Sequence, residues 1–134
     1  MKKTTQQRGQ SMVEFALVLP LLALVLFAII QYGFIFSAHI TLRNATAVGA
    51  RYATLSNPKP TEAQIKDVTR NAISPMLQIA NITAVNVTSN VTVGATAGAY
   101  SVQIQYNLPL IIPFVVPGKS SGDTLTLSAT TVMR

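Results

Sequence analysis

The sequence predicts an α+β protein built from a long N-terminal helix, a short second helix and a small antiparallel sheet of about three strands. Three observations carry that expectation. Phe15 to Ile30 contains no polar side chain and the apolar character continues to Ala38. Thr61-Glu-Ala-Gln64 has the form of a capping box ahead of a segment with helical spacing. From Val85 onward, apolar and polar residues alternate in several short runs.

The long helix comes first. From Phe15 to Ala38 a helix rising 1.5 Å per residue extends roughly 36 Å, enough to cross a bilayer core of about 30 Å. Lys2, Lys3 and Arg8 precede this run and Arg43 and Arg51 follow it, so the positive-inside rule places the N-terminus in the cytoplasm. Ala45-Thr46-Ala47 fits an A-x-A cleavage site in form only, since it lies well beyond the end of the run. Pro20 removes a backbone donor within the run and permits a kink, which neighbouring helices would have to accommodate. Beyond the membrane, Ala38, Leu42, Ala45, Gly49, Tyr52 and Leu55 recur at spacings of 3 and 4, with His39, Arg43 and Arg51 toward the other side. Small residues in that stripe allow close approach by a sheet or helix, and Asn57-Pro58 is a stop signal.

The second helix has Ile65, Val68, Ala72 and Met76 on one face and is expected to run until Ser74-Pro75. Val85 to Thr88 with Val91 to Val93, Tyr100 to Tyr106, and Leu125 to Met133 read as strands, with Gly94 to Gly98 as a hairpin connection. Such a sheet would cover the outer half of the long helix with one face and leave Asn, Gln, Ser and Thr in water.

Composition limits the functional classes. Hydrophobic residues make up 49% of the 134 and charged residues only 10%, against about a quarter charged in soluble domains. The net charge of +6 owes three of its cations to the first eight residues, and no basic stripe interleaved with aromatics is present, so nucleic acid is not an expected partner. Without cysteine, neither disulfides nor thiolate metal sites can form. One histidine and four scattered acids offer no catalytic constellation, and neither a phosphate loop nor zinc-ligand spacing occurs. The expectation is a non-enzyme with no cofactor and no metal, in which His39 is an ordinary surface or interfacial side chain. Four Asn-x-Thr sequons, at Asn44, Asn81, Asn86 and Asn90, are read as chance.

Glu14 is the residue that calls for a function. An ionisable group deep in a membrane helix costs about 2.5–3.5 kcal/mol, less near the interface. The surrounding segment, Arg8-Gly-Gln-Ser-Met-Val-Glu-Phe15 followed by Ala-Leu-Val-Leu-Pro20, with Gly49-Ala-Arg-Tyr-Ala53 downstream, resembles the TadE-like pseudopilins of tight-adherence (Flp, type IVc) pilus systems. The resemblance implies a pilin-like roll and cleavage by a prepilin peptidase between Gly9 and Gln10, with Glu14 and Phe15 as processing and assembly residues. It implies a basic leader over residues 1–9, a transmembrane and assembly segment over 10–40, and an extracytoplasmic α+β domain over 41–134. Implied partners are the prepilin peptidase, other pilins or pseudopilins, inner-membrane pilus assembly proteins and the lipid bilayer. Localisation would be the bacterial inner membrane, single-pass, with possible incorporation in a pilus. Methylation of Gln10 comes from the wider pilin resemblance alone. Related sequences often carry an acidic residue and an arginine where this chain has Gln31 and Phe34.

Once the chain is cut after Gly9, the new amine and the Glu14 carboxylate lie one helical turn apart. A neighbouring helix shifted along its axis could then set its amine against this carboxylate. The other reading of Glu14 is a cap on an interfacial helix end. Leu108 to Pro117 also leaves two readings. Its prolines at 109, 113 and 117 oppose a regular helix or central strand, so the segment is either an irregular core piece or a docking patch centred on Ile111, Ile112 and Phe114. For the whole chain, the alternatives to a processed pseudopilin are an uncleaved single-pass protein supporting an assembly complex, or an anchored binding module or adhesin.

Overall fold

The computed structural model describes residues 5–73, 77–93, 96–110, 116, 118 and 122–134. The long helix α1 spans Thr5–Leu55 without a break, with Pro20 inside it, and the second helix α2 spans Glu62–Asn71. A 3-10 turn at Ile79–Asn81 leads into β1 (Ile82–Val93), β2 (Thr96–Pro109) and β3 (Thr124–Met133). The strands form one antiparallel sheet in the order β1-β2-β3. This is the expected α+β arrangement.

The sheet lies against the second half of α1 because β2 and α1 present complementary apolar rows. Val102, Ile104, Tyr106 and Leu108 alternate along β2 and are all buried, while Ala38, Leu42, Ala45, Ala50 and Ala53 form the buried ridge of α1. The core has two parts. One gathers Ala38, Leu42 and Ala45 with Ile73, Leu77, Val85, Ile104 and Tyr106; the other gathers Ala50 and Ala53 with Ile65 and Val102. Alanines dominate the helix side, so the sheet backbone can approach closely while the large side chains come from β2.

The stripe expected on α1 needs one correction. Leu55 is 80% exposed and Ala50 and Ala53 are buried instead, because a helix turns 100° per residue and its contact line drifts away from a fixed spacing of 3 and 4 over several turns. At the end of α1, Lys59 Nζ donates to the Thr54 carbonyl at 2.9 Å and Ser56 N–H donates to Tyr52 O at 3.2 Å, so terminal carbonyls find donors. The same Lys59 ammonium lies 5.8 Å from the centre of the Tyr100 ring on β2.

The capping box of α2 is formed in both directions: Gln64 N–H donates to Thr61 Oγ1 at 3.4 Å, and Thr61 N–H donates to Gln64 Oε1 at 2.9 Å. The helix ends at Asn71, earlier than the sequence pattern suggests. Ile73 turns into the core there, its N–H bonded to Arg70 O in a tightened last turn. Thr69, which the apolar pattern passes over, is fully buried and directed at Gly49. Its hydroxyl satisfies itself locally, donating to the Ile65 carbonyl at 2.6 Å.

In the sheet, β1 and β2 change register between Thr88 and Val91, next to Asn90 with φ of +62°. Asparagine is among the few residues that adopt this backbone readily. Leu108 and Pro109 extend β2, paired with Leu125 and Thr124, and Leu108 is buried. The first two residues of the proline-rich segment are thus strand. Pro109 stands at the strand's end, where a missing donor matters least. Ile111, Ile112 and Phe114 lie outside the described residues, as do Ser74, Pro75 and Met76.

Candidate functional site: the uncovered half of the long helix

Among the described residues, nothing buries the start of α1. From Gly9 to Leu22 every described side chain is exposed, Phe15 at 65%. An 18-residue window of this helix reaches a mean hydropathy of 2.8 with none of it buried. Large apolar side chains in this number do not face water in a stable soluble monomer; a bilayer or other helices must cover them.

Gly9 and Gln10 lie within the helix, and a β-carbon placed at Gly9 would meet nothing within 4 Å. A protease that reads an extended backbone must unwind this turn, and glycine lowers the cost of doing so by roughly 1 kcal/mol relative to alanine. Glu14 follows Gln10 by four residues, so the two share a face one turn apart. Because α1 begins at Thr5, Glu14 stands beyond the first turn of the uncut helix and is not its cap. Among the described residues it has no cationic partner. Only a helix that starts at Gln10 would bring Glu14 close to a positive terminus.

Where the uncovered half meets the sheet, Gln31 is buried to 1% exposure and neither its Nε2 nor its Oε1 has a hydrogen-bond partner among the described residues. The sequence shows an amide at the end of an apolar run; that it is buried depends on the sheet end packing over it, which no local pattern announces. His39 is half-buried, and among the described residues no group of three or more His, Asp and Glu side chains could hold a metal ion.

One comparison with known proteins falls on α1. Residues 9–51 match the family model of TadE-like proteins. The TadE-like segment begins at Gly9, takes in Glu14 and the whole apolar run, and ends within the alanine ridge that carries the sheet. The family of that model is a structural one associated with Tad pili. The matched segment contains the whole apolar run, and the helix that carries it is long and apolar enough to cross a membrane. No curated protein and no solved structure matches the chain.

Proposed function

We propose that the protein is a minor pilin or pseudopilin-like subunit that takes part in assembly of a tight-adherence (Flp, type IVc) pilus. It acts by packing against other subunits. The observation that carries this reading is the coincidence of the TadE-like segment with an apolar helix surface left entirely uncovered from Gly9 to Leu22, interrupted by one carboxylate at Glu14.

The chain inserts in the inner membrane with Lys2, Lys3 and Arg8 in the cytoplasm and the sheet outside. A prepilin peptidase cuts between Gly9 and Gln10. The new amine and Glu14 then form a pair of opposite charges at the same end of each helix, and axial displacement of one helix against its neighbour sets amine against carboxylate. In a bundle of low dielectric that attraction is strong, and a helix out of register leaves both charges desolvated at a cost of several kcal/mol. Phe15 and the apolar residues after it supply the lateral contact, and a kink at Pro20 adjusts it. The docking reading of Ile111, Ile112 and Phe114 has its own test: Ile111→Ser with Phe114→Ser should block assembly and leave the domain folded, whereas loss of folding would support the core reading instead.

Intact-mass spectrometry of the protein from cells with and without the peptidase tests the processing step. Loss of residues 1–9 only when the peptidase is present is the expected result. Retention of residues 1–9 in both strains would leave an uncleaved single-pass protein.

A further inference from the structure

We propose that the junction of α1 with the sheet holds a phospholipid by its acyl-ester region, with Gln31 as the residue that recognises the ester. A cavity of about 270 Å³ lies there. It is far larger than the roughly 10–15 Å³ one water needs, and close to the lower end of small-ligand pockets at about 300 Å³. Phe34, Leu77, Tyr106 and Leu108 give it apolar walls; Ser37, Thr41, Gln78 and Asn81 add neutral polar groups. Gln31 is part of the lining, and both polar atoms of its amide are buried without a partner.

Each feature narrows the ligand. A buried amide left unpaired is costly, and native proteins satisfy such groups with water or a ligand. Among the described residues no charged side chain lines the cavity, so a phosphate is not what those residues read. The amide Nε2 is a donor suited to a carbonyl, and Oε1 is an acceptor suited to a hydroxyl or ammonium. Apolar walls beside those atoms fit the start of an acyl chain. Depth agrees: a hydrocarbon core of about 30 Å entered at Phe15 ends near residue 35 at 1.5 Å per residue, so the helix side of the cavity, from Gln31 to Thr41, straddles the level of the ester carbonyls. The ligand class is therefore an ester-linked phospholipid with a donor in its headgroup. This inference rests on the membrane insertion proposed above, but on neither the cleavage nor the pilus role.

The test uses the full chain in bilayers of phosphatidylglycerol doped with two photoreactive phosphatidylglycerols, one with a diazirine beside the acyl ester to label the cavity and one with a diazirine midway along the acyl chain to label Phe15 to Ile30, with labelled residues located by mass spectrometry. Labelling is expected at Leu77 to Asn81 and Tyr106 to Pro109, as well as along Phe15 to Ile30. Gln31→Leu, which replaces an unpaired amide with an apolar side chain, should lower the labelling around the cavity about five- to tenfold and leave that at Phe15 to Ile30 unchanged. A diether version of the first probe, lacking the carbonyl, should show the same deficit on the unaltered protein. Labelling confined to Phe15 to Ile30, as when water alone fills the cavity, would overturn the proposal while leaving insertion intact. Cavity labelling indifferent to both Gln31→Leu and the ether linkage would overturn the role of the amide. Absence of label along Phe15 to Ile30 would sink insertion and this proposal together.

Discussion

Gly49 of α1 faces Thr69 of α2 so closely that a β-carbon at position 49 would lie 3.2 Å from the Thr69 β-carbon and collide with its hydroxyl. Both residues are buried, and the hydroxyl is already held by the Ile65 carbonyl. The threonine cannot swing aside without giving up that bond. Gly49→Ala should therefore destabilise the domain by about 1–3 kcal/mol, even though alanine is the better helix former. Chemical denaturation of the full chain in detergent, followed by near-ultraviolet circular dichroism, reads this directly. Adding Thr69→Ala should recover part of the loss; a double variant no better than the sum of the two single ones would mean that the close approach is not the cause.

A second tie joins α1 to the far strand. Thr46 Oγ1 lies 2.8 Å from the Arg43 carbonyl and 2.7 Å from Thr131 Oγ1. A carbonyl can only accept, so the single hydroxyl proton of Thr46 goes to Arg43 and Thr131 is the donor between the two threonines. Thr46→Val should cost about 1 kcal/mol, because Thr131 loses its acceptor next to a buried site, and Thr46→Val with Thr131→Val should lie closer to the parent than the single change does. Thermal unfolding of the three variants measures the difference. Equal destabilisation by the single and double changes would argue against the pair.

The start of α2 depends on the exposed side chain of Thr61. Thr61→Ala should remove about 1 kcal/mol, since it takes the acceptor away from Gln64 N–H. Glycine at the same position should cost only a few tenths. Amide hydrogen exchange at Ala63 to Ile65 should accelerate in the alanine variant while the exchange of β2 stays unchanged.

Glu14→Gln separates processing from assembly. The cut between Gly9 and Gln10 should still occur, while incorporation with partner subunits, read by co-purification or fibre yield in cells, should fall about tenfold or more, as the loss of one partner of a desolvated charge pair requires. Assembly as efficient as that of the parent would show that charge pairing is not needed.

The elements of this fold are written locally, and their contacts are not. The capping box, the apolar run and the alternation at Tyr100 to Tyr106 each depend on neighbours within a few residues, so they could be read directly and the structure agrees with them. Thr69 stands outside the apolar face read for α2; its partner is a glycine twenty positions away, and a missing side chain leaves no signal in a pattern of hydrophobicity. Leu108 and Pro109 looked unsuited to a strand because proline opposes one; they enter β2 because Leu108 packs in the core and the proline falls at the strand's last position. Gln31 was visible as a polar interruption, yet its burial follows from where the sheet ends. Glu14 stands out as a lone charge at the head of an apolar run, whereas the proposed cut after Gly9 rests on the family resemblance.

The absence of any break between the anchoring half of α1 and its sheet-bearing half gives the protein a mechanical property. With no linker to take up slack, raising the apolar half by one residue's rise of about 1.5 Å lifts the sheet by the same distance. Rotating that half swings the sheet around the same axis. A pull or twist applied to α1 beyond Pro20 therefore reaches the sheet through one continuous helix, as through a push-rod.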